Sequence, residues 1–318
     1  MDPKSVVEFV IAPQFDEVGN FAQGLASVRI NFKRGYIDKM GQFVIQPQYD
    51  RAAWKFTEGL AWVSMGYGYK FGYIDTTGKL VIEPQFDWAW RFSEGLAPVK
   101  IGKKFGYIDR QGKFIIPPQC NVAASFVEGL SVEKMDDKYG YIDRLGQFVI
   151  PPQYDRACSF SEGLAEVYID GKYGYINHQG KFIIRPQFYF AWNFTEGMAA
   201  IDNGRYKGYI DKNGELVIRP QFDGAYPFSE GLAVVCSGGK YGYVDCNGHV
   251  TIRPQFEVAW NFTQGLASVR LGNKFGYIDK SGHFVINPQF DEAYNFNEGL
   301  AAIKIKGKYG YIRNPLSL

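Results

Sequence analysis

Six aromatic side chains stand at one recurring place in the chain: Trp54, Trp90, Trp192, Tyr226, Trp260 and Tyr294 each follow a repeated alanine. Gly19, Ala124 and Cys158 hold the same place where the ring is missing. A row of flat rings gives large contact area at little loss of rotamer freedom, which suits an extended partner. The structural alternative is packing between copies, since each such ring buries ~150–250 Å² when it turns inward. A second row, Arg185, Arg219 and Arg253, precedes the dipeptide Pro-Gln in three successive copies. Guanidiniums in line could hold phosphates or carboxylates through paired hydrogen bonds. Charges on a sheet edge also deter edge-to-edge pairing, a reading that needs no ligand.

Carboxylates recur too. Asp38, Asp75, Asp109, Asp143, Asp211, Asp245 and Asp279 follow a Gly-Tyr-(Ile/Val) segment, and Glu58, Glu94, Glu128, Glu162, Glu196, Glu230 and Glu298 precede Gly-(Leu/Met). A calcium ladder needs several oxygens converging in one loop, and these loops supply one Asp and a glycine. Carboxylates repeated in nearly every copy fit turn formation and backbone capping better than a singular acid–base pair. His249 and His283 share an exposed polar position, His178 lies inside a turn, and no His/Cys spacing suits zinc. The 4 cysteines, Cys120, Cys158, Cys236 and Cys246, read as small apolar fillers. There is no P-loop, no G-x-S-x-G and no dinucleotide fingerprint. Tyr189-Phe190 and Glu133 are single departures with no partner group evident in sequence. No catalytic residue, metal site or cofactor is expected.

The elements that carry these rows are set by a repeat. Pro-Gln begins at 13, 47, 84, 118, 152, 186, 220, 254 and 288, and Gly-Tyr-(Ile/Val) and Gly-(Leu/Met) recur beside it with the same spacing. The step is 34 residues except once, where it is 37 for the first two markers, while Gly-(Leu/Met) divides the excess into steps of 35 and 36. Copy two carries the extra residues, one near Ala52-Ala53 and two in the loop Ser64–Tyr69. Within the copy Lys138–Gly171, Tyr139–Asp143 reads as a strand and Asp143-Arg144-Leu145-Gly146 as a type I turn. Gln147–Ile150 reads as a second strand buried on both faces and ended by Pro151-Pro152. Tyr154–Phe160 suggests one helical turn, and Gly163–Ile169 a third strand.

Nine such copies fill residues 8–313, between short tails at 1–7 and 314–318. The chain starts at Phe9-Val10-Ile11 without a preceding Gly-Tyr-Ile, and ends at Gly310-Tyr311-Ile312 without a following Phe-Val-Ile. The halves sum to one copy. They either pair and seal a propeller-like ring or cap an open array. Three strands in 34 residues is short for a propeller blade, so an all-β, open superhelical solenoid is expected. Its terminal strands would be free to pair head to tail between molecules.

Composition fits such an array: 318 residues, 46% hydrophobic, 17% aromatic and 21% charged. A net charge of +2 argues against nucleic acid as partner. No apolar run reaches the ~20 residues that span a bilayer. The N-terminal stretch has no basic start followed by an apolar core, and no cysteines form a C-x-x-C pair, so a cytoplasmic location is expected.

The pattern G-Y-I-D-x-x-G-x-(F/L)-V-I-x-P-Q-(F/Y)-D-x-A-x-x-F-x-E-G-L-A resembles the bacterial WG (KWG) repeat family. The name-giving tryptophan is absent: Phe or Tyr precedes the glycine, with Arg34 and Lys207 in two copies. The resemblance implies a β-structured binding scaffold and brings no catalytic residues. The expected function is non-enzymatic recognition of a protein or peptide by the aromatic row, with the arginines as its border. The alternative is a lectin-like or polyanion-binding module.

Overall fold

A computed structural model describes residues 7–66, 69–122 and 124–316. The tips of the two tails and residues 67–68 of the copy-two insertion lie outside these. Two turns set the shape of each copy. At Glu162-Gly163 both residues have positive φ, 54° and 88°, and Ser161 and Leu164 exchange both backbone hydrogen bonds (2.8 and 3.2 Å). This is the mirror-image turn whose twist suits a two-residue hairpin, and only glycine takes its second position cheaply. In the other turn, one oxygen of Asp143 accepts from the backbone N–H of Leu145 and Gln147, both at 2.9 Å. The recurrent aspartates and glutamates are thus turn and capping residues.

Between these turns each copy supplies four strands rather than three. One antiparallel sheet contains, in order, Arg156–Ala157, Ala165–Ile169, Lys172–Ile176 and Phe182–Phe188. The expected helical turn at Tyr154–Phe160 is replaced by the two-residue strand Arg156–Ala157, too short to show a period-2 pattern. The Phe-Val-Ile strand is not ended by its prolines but runs Phe148–Tyr154, on a sheet edge where a missing N–H breaks no ladder. Nor is it buried on both faces: Ile150 is 1% exposed and Val149 47%. Gly140 lies so close beneath this strand that a Cβ would sit 2.4 Å from the Ile150 carbonyl oxygen.

Eight sheets have four strands, and the ninth, at Ser131–Met135, Lys138–Ile142 and Phe148–Tyr154, has three among the described residues. The last sheet is completed by the start of the chain: Phe9–Phe15 pairs antiparallel with Lys308–Arg313. The open solenoid is therefore overturned. The molecule is a nine-bladed β-propeller sealed by its two half-copies, whose terminal strands pair with each other. Blade 1 begins at Glu17, and blade 9 consists of Glu292–Ala293, Leu300–Ile305, Lys308–Arg313 and Phe9–Phe15. Thirty-four residues suffice because the turns are minimal and the first strand takes only two residues, except in blade 7, where it runs Gly224–Ser229.

Blades are joined by a buried tyrosine. Tyr141, fully buried in the third strand of blade 4, donates its hydroxyl to the Cys158 carbonyl of blade 5 at 2.8 Å and packs its ring on Phe160 at 5.0 Å. The same pair of contacts repeats at every interface, and across the seam Tyr311 donates to the Gly19 carbonyl at 2.7 Å and packs on Phe21. Among the described residues, ion pairs follow the same course at six of the nine interfaces, from Lys33–Asp50 (2.5 Å) to Lys308–Asp16 (2.5 Å) at the seam.

Closure makes a specific prediction. Tyr311→Phe should destabilise the protein by roughly 1–3 kcal/mol in denaturant unfolding, as Tyr141→Phe should, because each leaves a buried carbonyl without its donor. A silent Tyr311→Phe beside a costly Tyr141→Phe would mean the seam is open in solution.

Candidate functional site

The turn glutamates locate the axis. Glu162 accepts from the Gly197 N–H of the next copy at 3.0 Å, and this link runs through all nine copies, closing with Glu298 to Gly24 (3.0 Å). Each link joins equivalent positions, so one side chain spans the step from blade to blade. A step that short belongs to the tightest circle of the molecule. The first strand of each blade, which leads into this turn, is therefore the inner edge bordering the channel, and the fourth strand is the outer edge.

Four carboxylates on this circle are met by a basic side chain from the next blade. Lys39 reaches Glu298 (3.1 Å), His178 reaches Glu128 (3.1 Å), Lys212 reaches Glu162 (3.1 Å) and Lys280 reaches Glu230 (3.4 Å). Where the circle carries neutral Gln264, the facing residue is neutral Asn314, whose amide donates to the Gln264 carbonyl at 2.8 Å.

The aromatic row sits on the inner edge, just past the first strands. Its backbone is structural while its side chains reach solvent: Tyr175 donates to the Trp192 carbonyl at 2.7 Å, yet Trp192 is 39% exposed. Trp54, Trp90, Trp260 and Tyr294 are likewise exposed, and Tyr226 is half-buried. The rings do not form the packing between copies. Trp192 and Tyr226 line a groove of ≈ 260 Å³, and Tyr226 also lines a second of ≈ 330 Å³ with Trp260, Asn261 and Asn295. Two neighbouring grooves over blades 6 to 8 thus meet at Tyr226, with Tyr294 on the next blade.

Trp54 belongs to the inner edge but not to the same register. The backbone N–H of Ala53 donates to the Trp62 carbonyl (2.9 Å) as that of Trp90 does to Pro98 (3.0 Å), so Ala53 fills the row position. The insertion pushes Trp54 one place on, where the Arg34 guanidinium lies 3.9 Å over its ring. That contact accounts for arginine replacing the usual aromatic at position 34. Exposed Trp88 and Phe190, two residues before Trp90 and Trp192, extend the row and were missed because that position varies between charged and apolar types. Arg185, Arg219 and Arg253 are exposed on the outer edges of blades 5, 6 and 7. The structure does not bring them beside the aromatic row.

The departures noted in sequence have structural partners. Tyr189 takes the place of the ring aspartate, and Lys172 Nζ lies 3.0 Å above its ring instead of pairing with a carboxylate. Glu133 and Glu166 are buried in second strands, 5% and 7% exposed, against Cys120 and Cys158. Burial pushes both thiols up to about 12, with the neighbouring carboxylates adding to the shift, so neither is a thiolate nucleophile at neutral pH. Burial likewise pushes the Glu166 carboxyl up to about 7, opposed by the Cys158 thiol, and the Asn193 side chain lies against it. Among the described residues no three His, Cys, Asp or Glu side chains group as metal ligands, and no helix is long and apolar enough to cross a membrane.

Comparison with known proteins places this architecture. The profile of the WG containing repeat matches residues 8–33, 35–69, 71–105, 105–139, 139–173, 173–204, 208–241, 241–275 and 275–309. No curated protein matches the chain. Among solved structures, a eukaryotic initiation factor is similar at TM-score 0.63 and 12% identity, covering 99% of this chain and 94% of that one. The dihydro-heme d1 dehydrogenase NirN aligns at TM-score 0.48 and 12% identity over 89% of this chain and 77% of its own. Hsv2p of Kluyveromyces lactis aligns at TM-score 0.40 and 9% identity over 83% and 92%. At 12% identity the likeness to the initiation factor is one of fold alone.

The raised Glu166 carboxyl has a pH consequence. The folded state holds this proton more tightly than the unfolded chain, so the stabilisation is complete below the ordinary value of 4.5 and is lost as pH rises through about 7. Glu166→Gln should therefore be more stable than the parent at pH ~8, by roughly 2 kcal/mol, and level with it near pH ~4. Thermal unfolding of both proteins across that range checks it, and a difference independent of pH would refute it.

Proposed function

This chain belongs to the WG repeat family, and from that premise we propose that it is a non-catalytic binding module that takes a protein or peptide segment along the inner rim of its ring. The observation that carries the reading is the pair of neighbouring grooves lined by Trp192, Tyr226 and Trp260, with Tyr226 common to both. Indole and phenol faces accept apolar side chains, while the half-buried amides of Asn261 and Asn295 offer both a donor and an acceptor for a peptide backbone. No charged side chain lines the groove between blades 7 and 8, so it selects neither sign. Weak contacts in successive blades add through effective concentration when one extended partner spans them.

A neutral glycan is the second reading, favoured by the same pairing of ring faces with amides. A polyanion would have to use Arg185, Arg219 and Arg253 on the outer edge, away from the aromatic groove.

The test is capture from native lysate by the parent and by the double variant Trp192→Ala, Trp260→Ala. Both rings are exposed, so the melting temperature should hold, while affinity for the captured partner should fall about thirtyfold, as for central aromatic anchors. Equal capture by both proteins would remove the inner rim as the binding face.

A further inference from the structure

We propose that the inner rim of blades 2 and 3 is a second, cationic arc that takes an acidic peptide segment bearing aliphatic or aromatic side chains. The inference rests on the reading that the inner rim is the binding face. Blade 2 presents Arg51 and Trp54-Lys55 along its inner edge, and blade 3 presents Trp88 and Trp90-Arg91. All six side chains are exposed. The residue after the row position is uncharged in blades 6 to 9, namely Asn193, Pro227, Asn261 and Asn295. Blades 2 and 3 thus carry three exposed cations on or just past their first strands, against one, Arg156, in blade 5.

The local carboxylates are already engaged. Asp50 pairs with Lys33 and caps the Gly66 N–H, Asp87 pairs with Lys70 and caps Gly102, and Glu58 caps Gly95. Among the described residues, Arg51, Lys55 and Arg91 make no ion pair. In a chain of net charge +2, three unpaired cations on two adjacent inner strands are a local excess. The rings between them are held in place. One face of Trp54 is covered by Arg34, which is 8% exposed and anchored by the Ser27 hydroxyl at 3.2 Å and by Glu17. Trp88 leans on Phe71 at 5.5 Å and lies 6.1 Å from Trp90. Fixed rings flanked by unpaired cations complement a chain that alternates carboxylates with apolar side chains, and preorganisation lowers the entropy lost on binding. Three cations are too few to track a phosphate backbone, so nucleic acid is the disfavoured occupant.

The experiment is fluorescence anisotropy of the full chain with three labelled probes: a short peptide alternating Glu with Leu and Phe, the same peptide with Lys for Glu, and a short oligothymidylate. The acidic peptide should bind and weaken with added salt. Lys55→Glu with Arg91→Glu should weaken it at least about tenfold, and Lys55→Gln with Arg91→Gln by less, at unchanged melting temperature. Trp192→Ala with Trp260→Ala should leave its affinity intact. Failure of the acidic peptide to bind, equal binding of the lysine peptide, tighter binding of oligothymidylate, or indifference to charge reversal would each overturn the proposal. If the Trp192 and Trp260 variant loses the peptide as fully as the charge reversal does, the second arc is refuted while the inner rim stands as the binding face.

Discussion

A phenol buried in one blade finds its hydrogen-bond partner only in the next, and the rest of the structure depends on that contact. Tyr141 is fully buried, and the acceptor of its hydroxyl is the Cys158 carbonyl across the interface. A buried hydroxyl without a partner is expensive, so no blade is complete by itself. The apolar clusters say the same: one of them joins Leu164, Tyr175 and Ile184 of blade 5 to Ala191, Phe194 and Ile201 of blade 6. When each blade needs its successor, the ninth needs the first. Tyr311 with Gly19, Lys308 with Asp16 and Glu298 with Gly24 supply the same three links at the seam as elsewhere.

This contact also explains how one position can be structural and still be free to vary. The tyrosine takes the backbone carbonyl of the row residue and makes no demand on its side chain. Gly19, Ala53, Ala124, Cys158, Trp192 and Trp260 therefore accept the same bond while presenting different surfaces to the channel. Side-chain identity along the inner rim is decoupled from folding. That decoupling lets a nearly uniform ring carry an aromatic, amide-bearing arc in blades 6 to 9 and a cationic one in blades 2 and 3.

The repeat, the β class, the turn role of Asp143 and the capping role of the glutamates were legible in the residues. The first strand was not, because Arg156–Ala157 is two residues long and hides before an irregular stretch that resembles a helical turn. Closure could be stated only as one of two outcomes, since matched half-copies occur in rings and in capped arrays alike. One signal of contact between copies lay unread: the neutral pair Gln264 and Asn314 stands where other copies pair Glu162 with Lys212 or Glu230 with Lys280. Such matching across 50 residues marks contact between successive blades and occurs in rings and open arrays alike. The place of Trp54 was missed because an insertion next to a repeated alanine leaves two alignments, which only the hydrogen bond from Ala53 to Trp62 separates. The arginine row was legible as an exposed edge, but which edge depends on the direction of the channel, and sequence spacing does not encode that.

The claim on which all of this turns is that the chain closes on itself. Spin labels at Gln14 and Arg313, in a protein whose native cysteines are replaced by serine, would report it directly through pulsed electron–electron double resonance. Both sites are exposed, on strands that pair across the seam. A closed ring gives one narrow distribution at the short end of the measurable range. A broad distribution at long distance would contradict closure, and with it the inner rim as a shared face.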